Sequence, residues 1–389
     1  MKLMKIDFLV LGSSGMQGRI VVRDLLESGF KVYCADLYRE GSEKNLAEHP
    51  GTRFEFIDLR DYDASKNFLN KIDAKVVINC AEGDWNLDVF RMCLELGKNI
   101  IDLGSDISMT KAQLTLNKKF RDKGIVGITG CGSTPGINNI MFHYATGQFK
   151  TIDTVEIGFA WDSNVKKFVV PFSIESIIEE LTDPAAVLEN GVWLDKNPMD
   201  TEVIREFREI GSQRCYIVRH PETYTLYAYY KPFGIKNIRF YAGFPDHSLD
   251  MMRRLIELGL GKKSLLKFEE VEIRPIDALS RILSIQPRPD TYMERENLWV
   301  EISGHDPEGN IKIVKMECLI TTLPGWQDAG CNIDTGLPAS IIAQMVFDGR
   351  INTPGSFAPG PVITPLDFFA ELKKKGMSVY QDGNLVNGV

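Results

Sequence analysis

The chain has 389 residues, 44% of them hydrophobic and 25% charged, with a formal charge of −8. That length predicts two domains rather than one core, and the composition is that of a globular protein. The acidic balance argues against a nucleic-acid-binding face, and no apolar run reaches membrane-spanning length.

Residues 6–18, IDFLVLGSSGMQG, place a short apolar strand directly before Gly12, Gly15 and Gly18 and then a helical pattern. This is the spacing of a dinucleotide-binding turn. Gly12 takes the tight turn, Gly15 removes a side chain from the diphosphate, and Gly18 lets helix and strand pack closely. The backbone N–H groups of Ser13, Ser14, Met16 and Gln17 complete the expected anion cradle. A helix over 16–28 and a strand over 30–35 follow. The strand ends in Asp36, about twenty residues on, where a carboxylate meets a ribose 2′-hydroxyl. Asp36 favours NAD, while the nearby Arg39 leaves NADP open.

Strands over 53–59, 75–80, 99–103 and 125–129 then alternate with helices over 63–72, 87–97 and 110–123. This alternation predicts an α/β fold with a Rossmann-type doubly wound parallel sheet. Beyond the Gly-rich segment GCGSTPG (130–136) the strands lengthen, at 155–161, 215–219, 237–241, 298–303 and 311–320. Helices over 172–181, 249–258 and 276–283 accompany them. A second α+β domain with an open, largely antiparallel sheet is expected, with a face free to form a homodimer. Two closing helices, 338–348 with Thr335 as cap and 365–375, are expected to return to the first domain. The predicted division is 1–130 plus 335–389 for the dinucleotide and 131–334 for substrate binding and dimerisation.

Ligands of open parallel sheets lie beyond the strand carboxyl ends, so Asp58, Cys80, Ala81 and Pro135 join the candidate cofactor contacts. Asp102, Cys131 and His143 are the candidate catalytic residues. Asp102 and Asp106 fit both a general base and a turn or helix cap, and Cys131 fits both a reactive thiol and a small residue in a tight place. Arg239, Arg253, Arg254 and Arg274 are candidate carboxylate anchors that the sequence does not rank. The five histidines, His49, His143, His220, His247 and His305, are scattered, and the seven cysteines show no C-x-x-C spacing. No metal site is expected, and the cysteines read as reduced thiols of a cytoplasmic protein.

Several blocks together resemble the saccharopine dehydrogenase family, most closely its L-lysine 6-dehydrogenase type. They are GSSGMQG, VVINCAEGDWNLDVFRMCLELGKNIIDLG (76–104), STPGINNIM (133–141), FSIESIIEELTDPAAVLENG (172–191) and TGLPASIIAQMVFDGRI with the later FFAELKKKGM. The resemblance implies an NAD(P)-dependent oxidoreductase acting at the amine-bearing carbon of an amino acid, with a split cofactor domain. Asp102 matches the V-D-L-G-G pattern of the lysine type. Thr134 and Gly130 stand where relatives carry an acidic residue, and RFYAGF sets Arg239 one position from the usual R-Y-x-G arginine, so Thr134 and Arg239 are the candidate substrate contacts. Two alternatives stay open: a carboxynorspermidine-type dehydrogenase, similar over the cofactor domain and the T-G-x-P block, and a non-catalytic NAD(H)-binding sensor.

Overall fold

A computed structural model describes residues 5–104, 106–166, 168–286 and 291–388. Residues 1–4 and 389 of the predicted cofactor domain, and Ser105 within it, lie outside the described residues. The first half runs β1 (Lys5–Leu11), α1 (Met16–Glu27), β2 (Val32–Asp36), α2 (Glu43–Glu48), β3 (Arg53–Phe56), α3 (Tyr62–Lys71), β4 (Asp73–Asn79), α4 (Asn86–Leu96), β5 (Asn99–Asp102), α5 (Ile107–Leu114), α6 (Asn117–Lys123), β6 (Val126–Ile128) and α7 (Ile137–Thr146). The second half continues with β7 (Thr151–Ser163), α8 (Ile174–Thr182), β8 (Ala185–Glu189), β9 (Val192–Lys196), β10 (Val203–Phe207), β11 (Gly211–Ile217), α9 (Glu222–Tyr230), β12 (Asn237–Phe244), α10 (Asp246–Glu257), β13 (Leu266–Phe268), β14 (Val271–Ile273), α11 (Pro275–Ser284), β15 (Glu294–His305) and β16 (Ile311–Thr321). The chain closes with α12 (Ile333–Phe347), β17 (Gly355–Phe357), α13 (Pro365–Lys374), β18 (Ser378–Gln381) and β19 (Asn384–Leu385).

The first sheet has seven strands in the order β17-β6-β5-β4-β1-β2-β3, all parallel. β1 lies at its centre with Phe8, Leu9, Val10 and Leu11 at 0% exposure, as a strand covered on both faces requires. The second sheet runs β10-β11-β12-β7-β15-β16-β18-β19, with the β8–β9 hairpin attached to β12. Its pairs are antiparallel except β12 with β7. α7 and α12 contribute to one core that joins the sheets, from Phe8 and Val10 of β1 through Ile140 and Ile342 to Ile157 and Val300.

The sequence expectations differ from this fold at several places, among them the strands β8–β10, β13, β14, β18 and β19 and the helix α9, which they do not include. The helix expected over 110–123 breaks at 115–116 into α5 and α6. α2 and the edge strand β17 carry too short a pattern to be read in advance. Thr335 does not cap the late helix, which starts earlier at Ile333 and holds Pro338 inside it, where no N–H reaches back to the Asp334 carbonyl. The tail divides between the sheets: β17 extends the first, whereas β18 pairs with β16 of the second.

α12 crosses α1 closely because Gly336 has no side chain, and a Cβ there would lie 2.5 Å from Ile20 Cγ2. Asp24, 1% exposed, ties the same helices by accepting from Ser340 Oγ at 2.7 Å and Lys375 Nζ at 2.5 Å. Gly336→Ala is therefore expected to overpack the α1–α12 contact and cost about 2 kcal/mol, read as a lower urea midpoint. An unchanged midpoint would show that the helices can separate freely.

Candidate active site

The turn after β1 is shaped by backbone lying against backbone. Gly12 has φ +68°, and a Cβ on it would sit 2.4 Å from the Ala81 nitrogen; a Cβ on Gly18 would sit 2.0 Å from the Gly12 oxygen. Gly15 is the N-cap of α1, with no side-chain capping bond and no acidic residue in the first turn. The N–H groups at that helix start thus face outward with the positive end of the helix dipole. They border a cleft of about 430 Å³ lined by Gly12, Ser14, Gly15, Asp36, Asp58 and Ala81 among others, with Cys80 on the same wall. This shape suits a diphosphate, which a side chain at Gly15 would crowd.

Asp36 closes the far end of the cleft. Its Oδ2 accepts from Ser14 N at 2.8 Å and its Oδ1 from Tyr38 N at 3.1 Å, fixing the carboxylate where a ribose would rest. Arg60 forks onto Asp58 through Nε at 2.8 Å and Nη2 at 2.6 Å, and that pairing holds the Asp58 carboxyl below its usual range. Ser13 and Gly18 lie beneath the turn; Ser13 is 1% exposed and Oγ finds no partner among the described residues.

On the other side of the first turn of α1 the walls belong to a second space of about 380 Å³. Met16 and Gln17 border it from α1, Ser133 and Thr134 from the loop after β6, Thr335 from α12, and Phe159, Trp161 and Phe172 from the second domain. Gln17 Nε2 donates to Asn332 Oδ1 at 3.1 Å, and the Ser133 and Thr335 hydroxyls meet at 3.0 Å. The remaining polar wall holds Glu180, Glu294, Glu296 and Asp334, with His220, Ser173 and Ser176, and no lysine or arginine among the described lining residues.

His220 lies on the inner wall in the loop between β11 and α9, its ring stacked on Phe240 at 3.9 Å. Nδ1 pairs with the Glu222 carboxylate, itself 0% exposed. Burial works against a charged imidazole, yet the Glu222 and Glu180 carboxylates outweigh it and raise the His220 pKa. Burial pushes Glu180 up to about 7 and Asp334 up to about 7; burial and the Asp334 charge push Glu296 well above the carboxylate range.

The structure sets most of the other sequence candidates apart from this cavity. Asp102 is 0% exposed and accepts from Gly104 N, Gln113 Nε2, Thr129 Oγ1 and Gly130 N at 2.5–3.0 Å. It joins the ends of β5 and β6. Cys131 is fully buried with its thiol pKa raised by burial. His143 is half-buried, bonded through Nδ1 to Tyr230 OH at 2.8 Å, and its pKa is lowered by burial. The Pro135 ring packs against Gly104 and Gly130. Arg239 faces the outer side of the second sheet, paired with Glu156 at 3.3 Å and Glu189 at 3.5 Å. Its neighbours Ile238 and Phe240 point into the core, so strand alternation turns Arg239 away.

Sequence reasoning missed the acidic wall and His220. Glu294 and Glu296 continue the inward face of β15 that holds Leu298, Val300 and Ile302. Carboxylates on an apolar face are the signal that marks them.

A glycine cradle bordering one cleft, with a cavity lined by aromatic rings and carboxyl groups on the other side of the same helix start, is the arrangement of a nicotinamide-dinucleotide oxidoreductase. Residues 8–128 match the saccharopine dehydrogenase NADP-binding domain and residues 132–377 the saccharopine dehydrogenase C-terminal domain. The chain belongs to the saccharopine dehydrogenase family. It is 23% identical over 357 residues to a carboxyaminopropylagmatine dehydrogenase of Synechocystis, covering 87% of this chain and 86% of that one. It is 22% identical over 374 residues to a carboxynorspermidine synthase of Vibrio cholerae, covering 90% and 88%. The yeast saccharopine dehydrogenase (L-Glu forming) from Saccharomyces cerevisiae shares the fold, with a TM-score of 0.74 at 16% identity over 97% of this chain and 99% of that one. No helix among the described residues is long and apolar enough to cross a membrane.

Two substitutions separate the cofactor cleft from the scaffold. Asp36→Ala removes a charged hydrogen-bond acceptor and is expected to weaken NADH about tenfold in a fluorescence titration; unchanged affinity would detach Asp36 from the cofactor. Asp102→Ala strands several buried donors and is expected to cost roughly 3 kcal/mol of stability, with NADH affinity of the folded protein retained. A normal urea midpoint with lost turnover would instead make Asp102 part of the chemistry.

Proposed function

We propose that this protein is an NAD-preferring dehydrogenase that forms or breaks the C–N bond between an aldehyde-derived carbon chain and a diamine or polyamine. It is thus a carboxynorspermidine-type enzyme rather than a lysine 6-dehydrogenase. The observation that carries this reading is the acidic, arginine-free lining of the cavity beside the first turn of α1. Arg239, the candidate carboxylate anchor, is committed to the outer face. A cationic amine meets four carboxyl groups there and no lysine or arginine among the described lining residues. The relatives named for carboxynorspermidine and carboxyaminopropylagmatine support the same class. NAD is preferred because Asp36, Glu40 and Asp58 line the cleft and repel a 2′-phosphate.

When bound, the dinucleotide supplies or accepts a hydride at the carbon bearing the nitrogen. In the reductive direction an uncharged amine bonds to the aldehyde carbon, the carbonyl oxygen leaves as water, and the C=N carbon takes the hydride while a proton goes to nitrogen. His220 moves the protons. Glu222 holds Nδ1, so Nε2 is the ring nitrogen left to take a proton from the incoming ammonium and return one as water departs. The Ser133–Thr335 hydroxyl pair and Thr134 provide neutral donors for a substrate carboxylate.

We further propose a homodimer through the outer face of the second sheet, where Ile311 and Ile313 are 82% and 63% exposed, and a cytoplasmic setting, in keeping with seven free cysteines. A monomer by light scattering would remove the dimer.

The defining assay is NADH oxidation with a carboxylated aldehyde plus 1,3-diaminopropane, set beside NAD reduction with L-lysine and saccharopine. Turnover is expected only in the first mixture; turnover with lysine or saccharopine alone overturns the proposal. His220→Gln is expected to lower kcat by roughly 10²–10³-fold. In amine oxidation His220 must be neutral, so kcat/KM rises with pH through its raised pKa. Glu222→Gln removes the carboxylate that raises it, and the rising limb is expected to move to lower pH. A limb that stays in place would exclude His220 as the titrating group.

A further inference from the structure

We propose that Glu296 and Asp334 form a subsite for a second, non-reacting cationic nitrogen, so that the enzyme selects diamines and longer polyamines over monoamines. This rests on the cavity being the amine site. Glu296 projects from β15 and Asp334 from the first turn of α12, and both line the cavity.

The pair differs from the other buried carboxylates of the protein in what faces it. Asp24 meets Lys375, Glu222 meets His220, Glu317 meets Lys315 and Arg208, and Asp102 accepts from four donors. Glu294, beside the pair, accepts from Cys331 N at 2.5 Å and Tyr292 OH at 2.6 Å. Asp334 is 3% exposed. Its Oδ1 accepts from Thr335 Oγ1 at 3.1 Å, but no N–H or O–H donor of the described residues reaches Oδ2. The group that does face it is another carboxyl, that of Glu296.

Two like-charged groups held together away from water repel unless a proton or a cation lies between them. Burial and the Asp334 charge raise the Glu296 pKa, and burial raises that of Asp334, so in the free protein the two carboxyls are held together by a shared proton. The described residues include no cluster of three or more His, Cys, Asp or Glu groups able to hold a metal ion. An ammonium matches the pair: it is compact, brings three donors and suits the aromatic wall. Trp161 lies directly across from Glu296 in the β7–β15 register and so shares its face, where an indole ring attracts a cation. The division of labour follows chemically. The reacting nitrogen must lose its charge at His220, whereas the distal nitrogen keeps its charge between Glu296 and Asp334 and fixes the chain.

The test is calorimetric titration of the full-length, NADH-saturated protein with 1,4-diaminobutane and with butylamine. The diamine is expected to bind at least about tenfold more tightly, the value of one charge-assisted contact. Glu296→Gln and Asp334→Asn, made singly, are each expected to erase that difference while NADH affinity stays at the wild-type value, which also reports that the variants are folded. Equal binding of the two amines by the wild type, or variants that still discriminate between them, would overturn the subsite and leave the C–N dehydrogenase reading intact. If neither amine bound, both would be overturned.

Discussion

The close approach of backbone to backbone at Gly12 and Gly18 is the constraint on which the rest of the molecule depends. Because Gly18 carries no side chain, α1 begins directly against the turn that leaves β1, and its first N–H groups point past Gly15 into open space. That single placement divides the interior. The cleft lies on one side, with Gly15 on its wall and Asp36 at its end, and the cavity lies on the other, bordered by Met16 and Gln17. Gly336 extends the same logic, since it brings α12, and with it Asp334 and Thr335, against α1.

Within the cavity the electrostatics are uneven in an informative way. Most buried carboxylates of the protein are matched by a cation or by several N–H and O–H donors, as an interior of low dielectric requires. Those facing the cavity are matched less completely. Glu180 has an oxygen without a donor, and Glu296 and Asp334 face each other. Such imbalance costs stability in the free protein and, on the amine-binding reading proposed above, would be recovered on arrival of a cationic ligand.

The alternation of short apolar strands with amphipathic helices was enough to read the parallel sheet, and the Gly12-Gly15-Gly18 spacing with Asp36 was enough to read the cradle, because each is a local pattern a few residues long. The candidate chemistry was harder to read. Asp102 looked available because aspartate at a strand end is common in sites, but its surroundings, Gln113 and Thr129, come from elsewhere in the sequence and enclose it. Arg239 was judged by its charge when its neighbours Ile238 and Phe240 already indicated the opposite face. His220, Glu296 and Asp334 stand far apart in the chain and carry no motif that links them.

The sequence by itself determined the parallel α/β domain, the nucleotide-binding turn and the membership that its blocks indicated, since backbone conformation and hydrophobic periodicity are set by neighbours along the chain. Only the tertiary structure decided which carboxylates are paired, which face the cavity, and that β18 joins the second sheet while β17 joins the first. Charge acts through space and is screened or exposed by whatever folds around it, so a titratable residue acquires its role only when distant segments have come together.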